Sequence, residues 1–370
     1  MNIGFDAKRY YQNTTGLGNY SRTLIDGLMR KYPQHKYALY HPNNINQKND
    51  VTTMPTSLLN KLMPALWRGW NIKNPINNAK TDIYHGLSNE LPLSSKYLKC
   101  KKIVTIHDVL FDYFDADYRT LDKNIYKQKT NLAIKNADMI VAISENTKQD
   151  LIQQYNAKEE KIKVIYQCTL PIYYTGQLEP PTELTKQFIP QKYLLYVGSI
   201  THRKNLMLLC KAWLNLPTEL QLTVVIVGDG GAYKAEVKRF LVKNNILNKF
   251  IFINETTKNI TISELKNLYQ NTAILVYPSK KEGYGLPVLE AMALGTPIIT
   301  SKNTSMEEIC KDAALYIENN DETQLTKHIQ VILTETKCKE KMKLVADERI
   351  KLFLPCDYLT NNMNLYESIL

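Results

Sequence analysis

Glu282 and Glu290 bracket Gly283-Tyr284-Gly285-Leu286-Pro287 inside the stretch YPSKKEGYGLPVLEAMALGTP, which runs from Tyr277 to Pro297. A glycine-bearing loop that opens a helix presents free backbone amides along the helix axis, and with the partial positive charge of the terminus this suits an anion such as a diphosphate. The amides of Gly285 and Leu286 are the expected donors. Two carboxylates beside such a cradle can hold sugar hydroxyls; for Glu290 the alternative is complementation of the helix dipole, worth ~0.3 to 1 kcal/mol. Arg203 and Lys204 sit together where an apolar helix begins, a place already partly positive, so something anionic is expected to compensate them. The alternative, a pair of solvated surface charges, suits Arg203 better than Lys204. Near the start of the chain, Gly16 and Gly18 in Asn13-Thr14-Thr15-Gly16-Leu17-Gly18-Asn19-Tyr20 read as a small-residue loop opening a helix. Such a loop accommodates an anion or a close-lying sugar, or is merely a turn that needs glycine. His107-Asp108 closes an apolar run, where a ligand or catalytic role for His107 competes with a structural hydrogen bond.

The elements that must carry these residues are legible as short runs. In the first half they are 2–6, 37–40, 82–86, 101–108, 139–144 and 162–167; in the second, 193–200, 222–228, 250–254, 273–279, 297–301 and 314–318. They are continuously apolar instead of alternating, as expected of strands in a parallel sheet covered by helices on both faces. In such sheets ligands bind beyond the carboxyl ends of the strands, which is where several of the residues singled out above fall. Pro287 inside the start of its helix and Gly295 after its end make Tyr277–Pro297 a strand, loop, helix, strand unit.

A chain of 370 residues is expected to form two domains, since single cores stop growing near 250 to 300 residues. The prolines at 171, 180, 181 and 190 place a linker there, giving domains 1–172 and 190–352. The closing stretch 356–370 reads as an amphipathic helix that crosses back to the first domain, with Leu359, Met363, Tyr366 and Leu370 on one side. Hydrophobic residues at 44% and charged ones at 22% exclude a disordered or collagen-like chain. Six scattered cysteines show no metal or redox spacing and suit a reducing compartment. The first residues turn charged at once, and no run reaches the ~18 to 20 apolar residues of a membrane span, so neither secretion nor spanning is expected. Of the net charge of +11, +8 lies in residues 1–180. That surplus can attract a phosphorylated molecule or anionic lipid; no nucleic-acid-binding motif accompanies it. Residues 58–70, LLNKLMPALWRGW, combine two tryptophans and several aliphatic side chains with Lys61 and Arg68. They read either as an interfacial membrane helix kinked at Pro64 or as a core-facing helix.

The stretch Glu282-Gly283-Tyr284-Gly285-Leu286-Pro287-Val288-Leu289-Glu290-Ala291-Met292-Ala293 resembles the E-x7-E signature of retaining GT-B glycosyltransferases, especially glycosyltransferase family 4, the group 1 transferases. Gly16-x-Gly18, His107-Asp108, Ile143-Ser144-Glu145, Gly198 to Lys204 and Val227-Gly228-Asp229-Gly230 extend the resemblance over nearly the whole chain. It implies an α/β chain of two Rossmann-like, doubly wound parallel-sheet domains facing a cleft, the second binding a nucleotide-diphosphate sugar and the first a glycan or lipid-linked acceptor. It implies retention of anomeric configuration, with no metal or other cofactor. Matched residue by residue, Glu290 would bind the ribose hydroxyls and Glu282 the donor sugar. Tyr284, Gly285 and Leu286 would supply backbone donors, Lys204 and Arg203 would meet the diphosphate, and Gly16 and Gly18 would approach the phosphates. His107 would lie near the reacting centre, with Asp108 on the acceptor side. Ser199 departs from the arginine that many relatives carry after the glycine, leaving the diphosphate one cation fewer. The D-x-D match Asp115-Ala116-Asp117 reads as solvated surface. The implied setting is cytoplasmic, peripheral to the inner face of a membrane, in cell-surface polysaccharide synthesis. Two alternatives share the architecture: a non-hydrolysing nucleotide-sugar epimerase and a catalytically silent binding protein. A Rossmann oxidoreductase is disfavoured because Gly16-Leu17-Gly18-Asn19-Tyr20-Ser21 lacks the third glycine.

Overall fold

The computed structural model describes residues 1–13, 16–43, 51–114, 120–180, 182–183, 186, 189–257, 260–318 and 320–370, with Leu58 and Leu59 described by their backbone alone. Thr14, Thr15 and the Asp115–Asp117 segment lie outside them. The chain divides into two units, Met1–Cys168 with Leu354–Leu370, and Thr169–Phe353.

The first unit is built on a seven-stranded parallel sheet. Its strands are β1 (Asn2–Asp6), β2 (Lys36–Tyr40), β3 (Thr52–Thr53), β4 (Ile83–Gly86), β5 (Lys101–Ile106), β6 (Met139–Ala142) and β7 (Ile162–Val164), in the order β3-β2-β1-β4-β5-β6-β7. The pairing register aligns Ile3 with Ile83 and Val104 with Ile140. These side chains are wholly buried, as are Tyr84, Ile106 and Leu151. Strand order reverses between β1 and β4, so the segments following those two strands diverge to opposite faces and open a crevice between them. β3 escaped the sequence reading because a two-residue edge strand, Thr52–Thr53, makes no apolar run.

The second unit repeats the plan with six parallel strands. They are β8 (Tyr193–Val197), β9 (Thr223–Val227), β10 (Phe250–Phe252), β11 (Ile274–Tyr277), β12 (Ile298–Ser301) and β13 (Leu315–Ile317), in the order β10-β9-β8-β11-β12-β13. The reversal here lies between β8 and β11. Its core contains Leu194, Tyr196, Trp213, Ile226, Leu241 and Ile299. The indole of Trp213 reaches the Leu222 carbonyl at 2.7 Å, which satisfies its donor on burial. At the beginning of this unit, Glu179 pairs at 3.0 Å with the fully buried Lys266, and its carbonyl accepts from Asn267, so the proline-rich segment is anchored to helix Ile262–Asn271.

Three local expectations change. Gly16 and Gly18 belong to the first turn of helix Gly16–Lys31 and not to a loop. Helix Pro355–Ser368 buries Leu359, Met363 and Tyr366 against the first unit, but Leu370 falls beyond its end and is exposed. Residues 58–71 form three short pieces, Leu58–Leu62, Pro64–Leu66 and the π-helical Trp67–Asn71, because Pro64 can only begin a helix and not continue one.

Within that last piece Arg68 turns inward. Its Nε donates to Asp6 at 3.0 Å and its guanidinium reaches Glu90 at 2.5 Å, while Lys129 takes the other oxygen of Glu90 at 3.0 Å. Burial alone would raise the carboxyl of Glu90, but Arg68 and Lys129 hold it at about 2. The network ties the ends of β1 and β4 to helix Thr120–Asn136. Arg68→Ala is expected to destabilise the protein by about 3 to 5 kcal/mol, because it leaves two carboxylates buried without their shared cation. Urea unfolding at neutral pH measures this; a loss under about 1 kcal/mol, the level of an exposed ion pair, would contradict the assignment.

Candidate functional site

In the second unit, the segments after β8 and β11 converge at the strand reversal. Gly198, with φ of +145°, ends β8, and the chain reaches Arg203 and Lys204 before Asn205, in the left-handed region, starts helix Leu206–Leu214. Gly228 after β9 has φ of +149°, and a Cβ there would stand 1.9 Å from the Gly198 carbonyl oxygen, so only glycine permits the close approach of these two strand ends. After β11 the chain runs through Pro278 and Ser279 to Glu282. Gly285, at φ of +104°, then caps helix Leu286–Ala293, whose second residue is Pro287. The Gly285 and Leu286 amides therefore stand at the head of an eight-residue helix.

Glu282 is the centre of this cluster. One of its oxygens lies 2.6 Å from both the Arg203 guanidinium and Lys204 Nζ. Ser279 donates to the same oxygen at 2.6 Å and Tyr277 at 3.1 Å. Lys204 also contacts the Tyr277 hydroxyl and lies 4.6 Å from that ring's centre. Burial would raise the Glu282 carboxyl; Lys204 and Arg203 overcome it and hold the group at about 2. The anionic compensator expected for the two cations is thus present within the fold. Ser305 braces the loop from beneath, donating to the carbonyls of Glu282 and Tyr284 at 2.8 and 3.0 Å.

Glu290 lies in helix Leu286–Ala293, after the loop that carries Glu282, and its environment is the opposite. Burial pushes its carboxyl up to about 7, and only hydroxyls oppose that, from Tyr269 and from Thr169, whose Oγ1 is 3.3 Å away. It has no ion-pair partner among the described residues. One carboxylate is therefore firmly ionised and the other is poised near neutrality.

In the first unit, a cavity of about 390 Å³ lies at the β1/β4 reversal. It is lined by Lys8 and Arg9 after β1, by Ser88 to Glu90 after β4, by His107 and Asp108 after β5, by Leu17, and by Phe111, Tyr126, Lys129 and Thr130. His107 is 7% exposed and its Nε2 lies 2.9 Å from the Leu87 carbonyl, which can only accept, so Nε2 carries the proton and Nδ1 is the acceptor. Burial lowers this imidazole to about 4, leaving it neutral at physiological pH. Tyr20 packs edge-on against it at 4.6 Å, and Asn89 accepts its backbone N–H at 2.7 Å. Asn89 also donates to the Asp108 carbonyl, and an Asp108 carboxylate oxygen accepts from Leu110. The Gly18 amide is taken by the Asn13 side chain at 3.1 Å, and a Cβ at Gly18 would meet the Asn13 carbonyl oxygen at 1.8 Å. Glycine at 18 is thus required by the fold itself.

The structure gathers Arg203, Lys204, Glu282, Tyr284, Gly285, Leu286 and Glu290 in one unit, and Gly16, Gly18, His107 and Asp108 in the other. The sequence reading missed Tyr277, Ser279 and Ser305, and the cavity residues Lys8, Arg9, Asn89, Glu90 and Lys129. Tyr277, Ser279, Lys8 and Arg9 end or directly follow strands, a signal that could have found them. Ser305 and Lys129 come from helices remote in sequence, and no spacing rule reaches those. Among the described residues, no group of three or more His, Cys, Asp or Glu side chains is placed to hold a metal ion, and all six cysteines are free thiols.

Against known proteins, the model for glycosyltransferase family 4 matches residues 14–169, and that for group 1 glycosyl transferases matches residues 183–349. The chain is 26% identical to O-antigen chain mannosyltransferase B of Escherichia coli over 99% of its own length and 100% of that protein's. It is 27% identical to the O-antigen chain mannosyltransferase RfbU of Salmonella typhimurium over 59% of this chain and 57% of that one. Among solved structures, Anabaena HepE in complex with UDP and glucose superposes with a TM-score of 0.75 at 16% identity over the whole of both chains. WaaG, a glycosyltransferase involved in lipopolysaccharide biosynthesis, does so with 0.70 at 17% identity over 95% of each. The fold is GT-B, and the chain carries a family 4 glycosyltransferase domain followed by a group 1 glycosyl transferase domain.

Proposed function

We propose that this protein is a retaining, metal-independent glycosyltransferase that moves a hexosyl group from a nucleotide-diphosphate sugar to a glycan or lipid-linked glycan in cell-surface polysaccharide synthesis. The observation that carries this reading is the second-unit cluster. Two nearly buried cations are held together by one carboxylate beside the head of helix Leu286–Ala293, with a second carboxyl poised at about 7 within the helix. The names of the O-antigen mannosyltransferases to which the chain is similar support a hexosyl donor and a surface-polysaccharide acceptor.

Departure of a nucleoside diphosphate builds negative charge on the β-phosphate. Lys204, Arg203 and the Gly285 and Leu286 amides are fixed donors for that charge, and they stabilise it more in the transition state than in the bound donor. They stand where a metal would otherwise act. The diphosphate competes with Glu282 for its two cations, which frees the Glu282 carboxylate to accept from the donor sugar's hydroxyls. Tyr284 adds a backbone donor, and Glu290 receives the ribose hydroxyls. Gly16 and Gly18, in the first turn of helix Gly16–Lys31, approach the phosphates in this reading. His107 offers Nδ1 as an acceptor near the reacting centre, with Asp108 toward the acceptor. The epimerase and the silent binding protein are less favoured, because neither explains a full set of relatives named as transferases.

The setting in this reading is cytoplasmic and peripheral to a membrane. No helix among the described residues is long and apolar enough to cross one. Of the two tryptophans of residues 58–70, Trp67 is a core residue at 3% exposure, whereas Trp70 is 41% exposed beside Leu62 at 72% and Met63 at 49%. Residues 51–107 carry eight Lys or Arg and only Asp82 and Glu90 as acids. Glu90 is already committed to Arg68 and Lys129, and among the described residues Lys61 and Lys73 have no carboxylate partner.

Lys204→Ala and Glu290→Ala are each expected to lower kcat/KM by roughly 10- to 100-fold, the loss of one charge-assisted contact of about 1.5 to 3 kcal/mol. Release of nucleoside diphosphate measures it, and an unchanged value in either variant would remove that residue from the site. Activity is expected to survive excess EDTA; loss on chelation with recovery in Mg²⁺ would overturn metal independence, and an inverted anomer in the product's NMR spectrum would overturn retention.

Ribose hydroxyls donate to the ionised form of Glu290, so donor binding lowers a carboxyl that sits near 7 in the free protein and expels its proton. Donor affinity is therefore expected to rise with pH up to about 7 and level off above it, and Glu290→Gln to bind weakly with no slope. A wild-type affinity flat between pH 5.5 and 8 would place Glu290 away from the ribose.

The protein is expected to sediment with anionic vesicles at low salt and to leave them at high salt, since each basic residue near such a surface contributes ~1 kcal/mol. Trp70→Ser is expected to weaken this, while Trp67→Ser disturbs the core. Equal partitioning onto neutral and anionic vesicles would argue for a soluble acceptor.

A further inference from the structure

Of the charges around the first-unit cavity, the acidic ones are already in use. Glu90 is shared between Arg68 and Lys129, at 2.5 and 3.0 Å. Asp6, just beneath, accepts from Arg68 and from the Lys8 backbone N–H. An Asp108 carboxylate oxygen accepts from the Leu110 backbone. Lys8 and Arg9 are in the reverse position. Both line the cavity, and among the described residues neither has a carboxylate partner. Arg9 Nε is buried with no hydrogen-bond acceptor. Burial and the like charges of Arg68 and Arg9 also lower the ammonium of Lys8, only partly offset by Glu90 and Asp6.

A buried guanidinium nitrogen without an acceptor costs free energy, and a fold tolerates it where a ligand supplies the acceptor. A neutral sugar calls for carboxylate and amide acceptors for its hydroxyls, and here Glu90 is spent on Arg68 and Lys129 while Asp108 Oδ1 and Asn89 Oδ1 each accept from a backbone N–H. What remains uncommitted is two adjacent positive groups at the start of the short helix Lys8–Gln12 after β1, with Phe111 and Tyr126 also in the lining. An oxyanion matches that set: it takes two or more donors from an Arg and Lys pair and relieves their mutual repulsion.

We propose that this cavity is an oxyanion subsite of the acceptor, in which Lys8 and Arg9 hold a phosphoryl or carboxylate group carried by the receiving glycan. The inference rests on the reading of the first unit as the acceptor side and adds to it the charge of the acceptor. A phosphorylated saccharide and a uronic acid share the chemistry, and binding separates them.

The test is isothermal titration of the full chain at low salt with glucose 1-phosphate, glucuronate and neutral methyl glucoside, in the wild type, Lys8→Met, Arg9→Gln and Lys204→Ala, each checked for an unchanged thermal midpoint. At least one anion is expected to bind tenfold or more tighter than methyl glucoside, and the anion that does so identifies the group. Lys8→Met and Arg9→Gln are each expected to weaken it about tenfold, and Lys204→Ala to leave it intact. If methyl glucoside binds as well as the anions, or no anion binds the wild type, the subsite is refuted. If the loss follows Lys204 and not Lys8 or Arg9, the anion belongs to the donor cluster and the subsite is likewise refuted. Should Lys204→Ala leave glycosyl transfer unaffected while the Lys8 and Arg9 results hold, the donor assignment fails and the anion subsite stands.

Discussion

The Glu282 carboxylate is the interaction on which the second unit's site depends. A buried anion must be neutralised, and its two cations come from Arg203 and Lys204 after β8 while it comes from the segment after β11. The shared ion pair therefore fastens two loops that the strand reversal would otherwise send apart. It also keeps two adjacent lysine and arginine charges tolerable at the head of helix Leu206–Leu214, where the peptide dipole opposes them. Ser279 and Tyr277 satisfy the same oxygen, so the cluster is a closed network and not a lone pair.

The contrast between Glu282 and Glu290 follows from that network. Both are carboxyls buried near one short helix, and burial raises both. Two cations reverse the effect for Glu282, and hydroxyls alone do not for Glu290. One site thereby contains a permanent anion that organises cations and a proton-bearing carboxyl able to respond to a ligand. His107 in the first unit is tuned by the same physics in the other direction, since desolvation strips an imidazole of its charge. A neutral ring with its proton turned to the Leu87 carbonyl keeps Nδ1 as an acceptor.

Each unit places its functional groups by the same rule. In a parallel sheet whose order reverses, the segments leaving neighbouring strands pass to opposite faces, and the gap between them is lined by whatever follows the strands. β1 and β4 supply Lys8, Arg9 and Glu90, and β8 and β11 supply Lys204 and Glu282. The buried Arg68 network and the Gly198–Gly228 approach hold those strand ends in register, with glycine demanded at Gly228 by a carbonyl too close for any side chain.

Most of this architecture was legible in the residues because it rests on local patterns. Continuous apolar runs mark parallel strands, and twelve of the thirteen strands among the described residues coincide with them. Glycine and proline around Leu286–Ala293 mark the helix and its cradle, and the signature between Glu282 and Ala293 led to the family. Local pattern says little about which charges meet. The spacing of Arg203 and Lys204 announced a missing anion without identifying Glu282, which lies some 80 residues away, because that pairing is decided by strand order. The burial that lifts Glu290 to about 7 is equally invisible along the chain. Gly18 looked like a phosphate loop, and its need for glycine proved to come from Asn13. Trp67 and Trp70 looked equivalent, and a π-helical turn sends one into the core and the other to the surface. Residue type and period thus determine the elements and the chemistry they carry, whereas desolvation and pairing are properties of surroundings that exist only once distant strands have been brought side by side.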